Sequence, residues 1–515
     1  MRAADWLTKG LRAIGLAGSA APGREGQARQ VVPAMRRAVR ARYDAAITNQ
    51  DNHRHWALAD GLSADAAASP AVRRTLRNRT RYEVANNSYA RGIVLTLAND
   101  TVGTGPRLQL LGIDGADARQ VEHAFIDWAR TVDLAEKLRN LRVALCEDGE
   151  GFALLTSNPG LSGPVKLDLK LIEADQVTTP LGSVDANAID GIAFDAAGNP
   201  VEYQVLRYHP GGPLGWVAQA DRVPAASIIH FFRPDRPGQR RGVPEITPAL
   251  PLFAQLRRYT LAVLAAAETA ADYAGIVYTD APAGGEADQV EPMDTINLEK
   301  RALLTMPGGW KMEQMRAEQP ATTYAEFKHE ILNEIARCLN MPFNIAAGNS
   351  SGYNYASGRL DHQTYYKAIR VDQARMALQV LDRIFAAWVA EAVLIDGLLP
   401  ITVRAAARFG TIDWSHQWFW DGHEHVDPLK EANAQGKRLE NHTTTLADEY
   451  ARKGQDWEAQ LRQRAREQRL MRELGLEVKP ADGAAATPPA TPSAQPPSAE
   501  TPNSDAGDDL DARAA

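Results

Sequence analysis

Residues 334–366 read EIARCLNMPFNIAAGNSSGYNYASGRLDHQTYY, and three elements follow one another in this stretch. It opens inside a helix. Phe327, Ile331, Ile335 and Leu339 recur at four-residue steps and make one apolar stripe. Upstream, Thr323-Tyr324-Ala325-Glu326 fits a capping box, in which each end side chain satisfies an orphan backbone donor of the other. Pro342 stops the helix by pushing Met341 out of α space. Residues 348–358, GNSSGYNYASG, read as a polar loop with no acid, base or activated nucleophile. A long helix then runs from about Leu360 to Leu394, roughly 50 Å at ~1.5 Å per residue. Ile369, Met376, Leu381, Ile384, Phe385 and Trp388 supply its apolar side.

Working outward, residues 251–272 form another helix, with Leu252, Leu256, Tyr259, Val263 and Leu264 at helical spacing. Between it and the capping box lies a small insert with strand-like GIVYTD and RALLTMPGGW. N-terminal to these, residues 70–99 read as a helix, with Ser69 as cap and Pro70 at the first position. Residues 119–140 read as a second helix, amphipathic on Val121, Phe125, Trp128, Leu134 and Leu138. GFALLTS, VKLDLKLI, GIAFD, VEYQVLRY and SIIHFF read as short strands, with one hairpin marked by Gly198-Asn199-Pro200. After Pro400, ITVRA is strand-like, and charged helices run from Pro428 to about Leu474. The fold class is α+β.

The chain has 515 residues, 44% hydrophobic and 23% charged, enough for more than one core. Residues 480–515 are rich in Ala, Pro, Thr and Ser with almost no large apolar side chain, and are expected to be disordered. Cys146 and Cys338 are the only cysteines, too few for a disulfide framework, so a reducing compartment is expected. No apolar run reaches the ~18 residues that span a bilayer. Asp5, Lys9 and Arg12 interrupt any secretory h-region at the start, which reads better as a short amphipathic helix.

The net charge of −7 argues against a protein built to grip DNA by neutralising phosphates. Basic residues nevertheless cluster, first across residues 1–42 and again at Arg73, Arg74, Arg77, Arg79 and Arg81. Each cluster is open to two readings, a solvated face or a contact with nucleic acid or an acidic partner.

Two motifs suggest chemistry. Gly103 and Gly105 in NDTVGTGP invite a phosphate-loop reading, but a helix leads into them and a strand, Arg107 to Leu111, follows. A phosphate loop needs the reverse order. Residues 420–428, WDGHEHVDP, offer His423 and His425 as weak metal candidates, with Asp421 or Asp427 as oxygen donors and Glu424 as base of a metal-dependent hydrolase. Against that, Asp427-Pro428 is a helix start and Gly422 a turn. No cofactor is expected. His53 and His55 read as packing or interface residues, and Trp414, Trp418 and Trp420 as core or interface.

Four segments, 42–110, 228–250, 334–366 and VDPLKEANA at 426–434, together resemble the lambda-type bacteriophage portal proteins, the head–tail connectors. The resemblance covers about residues 30–475. It implies a ring, usually of twelve subunits, at one capsid vertex. The ring is a conduit for double-stranded DNA packaging and ejection and a dock for the terminase large subunit and head-completion or adaptor proteins, beside the major capsid and scaffold proteins. It implies no enzyme, since ATP hydrolysis belongs to the terminase. The location implied is the virion, with host cytoplasm during assembly and no membrane. The alternatives are the hydrolase above or another virion adaptor protein.

By family order, residues 1–30 would be a basic arm and 31–245 an α/β wing. Residues 246–274 and 322–342 would be the stem helices, with 275–321 between them as the clip. Residues 343–358 would be a tunnel loop presenting Asn349, Ser350, Ser351, Tyr353, Asn354 and Tyr355 to DNA. Residues 359–400 would be a long spine helix and 401–479 a wing return and helical crown, before the tail at 480–515. Arg257, Arg258 and Lys367 are candidate phosphate contacts, with intersubunit ion pairs or plain exposure as the other reading. Twelve copies would carry about −84, a repulsive field that lets DNA slide.

Overall fold

The structure is a computed structural model that describes residues 50, 52–113, 115–180, 188–215, 217, 219–271, 275–279, 310–314, 324–352, 354–422 and 428–476. The chain divides into two units, residues 1–62 and 63–515. In the first, the described residues 52–58 are a run of turns in which His55 meets Trp56 edge-on. The basic arm, most of the insert and the C-terminal tail lie outside the described residues, as does Thr323 of the capping box.

The second unit begins with α1 (Ala64–Ala67), α2 (Pro70–Asn86) and α3 (Ser88–Val102). The single helix expected over 70–99 is therefore two. Asn87 leaves helical geometry, and its side chain accepts from the amides of Tyr89 and Ala90, starting α3 afresh. After β1 (Arg107–Leu110), the helix expected over 119–140 is likewise two, α4 (Gly115–Thr131) and α5 (Leu134–Glu147). They are separated at Asp133, whose φ of 52° is left-handed.

Two antiparallel sheets follow. β2 (Glu150–Ser157) is central between β3 (Leu167–Ile172) and β8 (Ile228–Phe232). The other sheet runs β4 (Ala188–Ile189), β5 (Ile192–Phe194), β6 (Pro200–Leu206) and β7 (Ala220–Pro224) in sequence order, with the expected hairpin at Asn199-Pro200.

The helical half comprises α6 (Leu250–Ala271), the antiparallel pair β9 (Gly275–Thr279) and β10 (Trp310–Gln314), then α7 (Tyr324–Arg337) and α8 (Phe343–Ala347). The long helix is α9 (Tyr355–Met376), a π turn at Ala377–Leu381, and α10 (Asp382–Ala392). α11 (Ile401–Arg408), β11 (His416–Phe419), α12 (Pro428–Glu440), α13 (Leu446–Ala451) and α14 (Trp457–Glu473) complete the unit.

Two expectations change here. ITVRA is the start of α11, not a strand, because three consecutive alanines at 405–407 extend it as helix against the β preference of Ile401, Thr402 and Val403. The irregular segment expected over 343–358 narrows to 348–354. α8 occupies its first five residues and ends on Gly348, whose φ of 62° is a left-handed cap. Asn354 caps α9 by accepting from the Ser357 amide, so the spine begins at Tyr355.

Three cores hold these elements. In the first, Phe125 contacts Trp128, Phe385, Trp388 and Trp418, ring centroids 5.3–5.7 Å apart, tying α4 to the spine and to β11. β11 pairs with β1 across more than 300 residues, Arg107 opposite Phe419 and Leu110 opposite His416. Trp414, Trp418 and Trp420 pack against this core, and Trp418 donates to Asp382 at 2.8 Å. In the second, Ile93, Leu97, Phe253, Ile335, Tyr365 and Ile369 join α3, α6, α7 and α9. The third packs Phe152, Val177, Ile192, Tyr203 and Ile228 between the two sheets. Each buried side chain of this size contributes about 1.5–3 kcal/mol.

Candidate functional site

The basic cluster on α2 folds inward. Arg73 pairs with Asp190 and Arg77 with Asp175. Arg81 grips Asp148 with two nitrogens at 2.7 and 2.8 Å. Arg74 and Arg79 stay exposed. Three of the five arginines thus serve neither expected reading, a solvated face or a nucleic-acid contact.

They surround a deeper pair. Arg241 is bidentate to Glu150 at 2.6 and 2.9 Å, both fully buried, and His230 sits 3.1 Å from the same carboxylate. Burial alone would raise the Glu150 carboxyl. The Arg241 guanidinium and the His230 hydrogen bond outweigh it and hold that carboxyl well below its usual range. A similar pairing joins Glu245 to Arg142 at 2.6 Å and Arg233 at 2.9 Å.

Among the described residues, Glu173, Asp175 and His209 stand close enough to share one cation. Arg81 lies 3.3 Å from Glu173 and 2.9 Å from Asp175, so both carboxylates already have a counter-charge. In the other candidate metal set, His423, Glu424, His425 and Asp427 lie outside the described residues. Asp421 is engaged elsewhere, since its carboxylate accepts from the Thr104 amide and, at 2.9 Å, from the Thr104 hydroxyl. That contact also explains Gly103, where a Cβ would run into the Asp421 carboxylate. The glycine turn at 103–105 ends α3 and feeds β1, so no helix N-terminus faces an anion there.

The candidate DNA-facing segment, 348–354, is held at both ends. On one side Phe343 and Asn344 are buried, and the Asn344 side chain meets His362 at 2.9 Å. On the other, Tyr365 donates to Asp100 at 2.7 Å, pinning α9 to α3. Between these anchors Asn349, Ser350, Ser351 and Asn354 are exposed and uncharged, and the Ser351 amide donates to the Asn349 side chain at 2.9 Å. Tyr353 and the Tyr355 side chain lie outside the described residues. Of the candidate phosphate contacts, Arg257 pairs with Glu83 at 3.1 Å and lies over the Tyr82 ring, whereas Arg258 and Lys367 are exposed.

α6 and α7 stand side by side. Tyr259 contacts Phe327 and Tyr324 at 4.8 and 5.6 Å, and β9 and β10 join the two helices through a paired ribbon. The two helices and the first of the paired strands between them lie where the residue pattern predicts them, and the polar segment follows in the chain.

Residues 49–373 match the family described as phage portal protein, lambda family. The chain belongs to that family. It is 28% identical over 435 residues to the "Probable portal protein" of Halomonas phage phiHAP-1, covering 78% of this chain and 81% of that one. It is 24% identical over 481 residues to portal protein B of Escherichia phage lambda, covering 82% and 88%. Among solved structures, a chain from the neck of a native gene transfer agent particle computed with C12 symmetry aligns with a TM-score of 0.41 and 17% identity, over 70% of this chain and 94% of that one. The function is therefore that of a bacteriophage portal protein, a structural head–tail connector of the virion. Nothing in the family or in the described residues supports the hydrolase alternative. No described helix is long and apolar enough to cross a membrane.

Proposed function

We propose that this portal chain assembles with copies of itself into a ring, probed first as a dodecamer, and that the ring is the channel for double-stranded DNA. Membership of the lambda portal family over residues 49–373 carries this reading. In it, α6 and α7 are the stem and the β9–β10 ribbon begins the clip, the dock for terminase and head-completion proteins. The sheets of residues 150–232 belong to the wing, and β11 is the wing return through its pairing with β1. The ring works by geometry and field, without catalysing a reaction. It stands at the capsid vertex and is assembled in the host cytoplasm.

The segment 348–354 meets the DNA. Its hydroxyl and amide groups can hydrogen-bond to phosphates without an ionic trap, and the acidic balance of the assembly keeps the duplex from sticking. Of the two arginines proposed on α6, Arg258 stays exposed for a sparse phosphate contact.

Electron microscopy of the purified protein tests the ring. Annular particles with a channel wide enough for duplex DNA support it, and a population of compact monomers at all concentrations sinks it. Lysines at Asn349, Ser350 and Ser351 test the segment. Rings should persist while packaged DNA per particle falls, and unchanged packaging would remove 348–354 as the contact.

A further inference from the structure

The buried face of α7 is narrower than its apolar stripe. Leu332, Ile335 and Ala336 are buried, as is Leu339 just past the helix end, but Phe327 is 50% exposed and Ile331 only partly covered. Both overhang a groove of about 650 Å³ between α7 and the start of α6, with Leu252 and Cys338 in its lining. Glu330 and Glu334 stand on its edge, and Glu326 is exposed one turn before Glu330. Among the described residues, Arg337, at the far end, is the one cation in the lining.

A second uncovered face lies on the spine helix. α9 buries Tyr365, Ile369 and Met376. On the other side Leu360, Thr364, Lys367, Val371, Ala374 and Leu378 are exposed at alternating steps of four and three. Leu360, Val371 and Leu378 are 66%, 55% and 71% exposed. That spacing is the seam of a helix that packs on another surface. Arg359, Lys367 and Arg370 are exposed along it, with Asp361 the one exposed acid at its start. No described residue makes an ion pair with Glu334, Lys367 or Arg370.

We propose that the spine seam of one subunit seats in the α6–α7 groove of the next. The occupant is a second copy of this chain, because a single chain carries both halves: an apolar groove edged by glutamates and a largely apolar helix seam that carries Lys367, with Arg359 and Arg370 beside it. A contact between two different patches is head-to-tail, the type of interface that closes into a ring instead of stopping at a dimer. Helix-in-groove docking supplies the apolar burial, and the flanking charges fix the register. The inference rests on the ring reading above and goes beyond it by naming the two surfaces that meet. It assigns Lys367 to a neighbouring subunit, not to DNA.

Two full-length charge variants test it. Glu330→Lys with Glu334→Lys makes the groove basic against a basic seam. Lys367→Glu with Arg370→Glu makes the seam acidic against an acidic groove. Each alone should lose rings in sedimentation velocity and remain as monomer, with unchanged circular dichroism. A one-to-one mixture should restore rings, since every contact in an alternating ring again joins opposite charges. Rings from either variant alone, or no rings from the mixture, overturn the pairing while leaving the portal ring standing. A wild-type chain that never forms rings overturns both readings. If a lysine variant misfolds, Glu330→Gln with Glu334→Gln replaces it. The protein concentration at half assembly should then rise at least several-fold, and an unchanged value overturns the pairing.

Discussion

Two regions of this chain treat charge and apolar surface in opposite ways. Around Glu150 and Arg241, arginines and carboxylates from α2, β2, the turn at Asp175 and the loop before α6, with His230 of β8, are buried and paired with one another. Along α6, α7 and the outer side of α9, leucines, a phenylalanine, glutamates and basic residues stand exposed, several without a partner among the described residues. The charges of the first region find their counter-charges within one chain. The second is completed by a neighbour in the proposed ring. On that proposal, the pairing of charges within one chain separates scaffold from assembly surface better than sequence composition does, since both regions are rich in charge.

The largest effect that can break this contrast is loss of the buried pair. Arg241→Ala takes from buried Glu150 its bidentate partner, leaving His230, the Gly242 amide and the more distant Arg77, and should lower unfolding stability by about 3–5 kcal/mol in urea titrations. A loss under ~1 kcal/mol would mean the pair is not closed to solvent.

Acid should act on the same region. Burial is outweighed at Glu150 by Arg241 and His230, at Glu245 by Arg142 and Arg233, and at Asp175 by Arg77 and Arg81, so all three carboxyls are held below their ordinary values. Groups depressed in the folded state contribute stability above their unfolded pKa, near 4, and lose it as pH falls through the folded value. The thermal midpoint should fall steeply from about pH 4 downward, and a flat profile to pH 3 would contradict the pairing.

Glu122 runs the other way at a smaller scale. Burial, with Asp456 and Glu458 nearby, pushes its carboxyl up to about 7 although it accepts from the Leu110 amide. A raised folded pKa means stability present below the unfolded value and lost as pH rises through 7. Glu122→Gln should thus gain stability at pH 8 relative to pH 5, on the order of 1 kcal/mol after solvent screening. No difference between the two pH values would remove the shift. The smallest effect belongs to the seam. Leu378→Ser should change monomer stability by no more than about 0.5 kcal/mol, yet weaken ring formation. A large fall in monomer stability would place Leu378 in a core.

Helical and strand periodicity made most elements legible. Strands β2, β3, β5, β6 and β8 and helices α6, α7 and the spine stand where apolar spacing and turn residues put them. The breaks at Asn87 and Asp133 were less visible, because a cap inside an apolar-periodic run looks like one more polar residue on a helix face. Pairings over distance were illegible. No local signal ties Arg73 to Asp190 or β1 to β11, and the α2 arginines read as surface until the partner carboxylates are placed. Of the candidate site, the polar, uncharged character of 348–354 was plain from composition. Its true length was not, since Phe343–Ala347 is too short a helix for periodicity to register.

The π turn in the spine has a mechanical consequence. One row of buried positions runs from Tyr365 through Ile369, Gln373, Met376, Val380, Ile384, Trp388 and Ala392, with Leu381 and Phe385 buried beside it, and advances by four residues more often than by three. That outpaces the 3.6 of a straight α-helix, so an uninterrupted rod would slowly rotate its inward side away from its neighbours. The wider turn at Ala377–Leu381 takes up part of that lag just after the spine has passed from the core around Tyr365 to the core around Trp388. It acts as a phase shifter between two gears on one shaft. Removing one residue there would turn everything beyond it by about 100° and disengage Trp388 from Phe125.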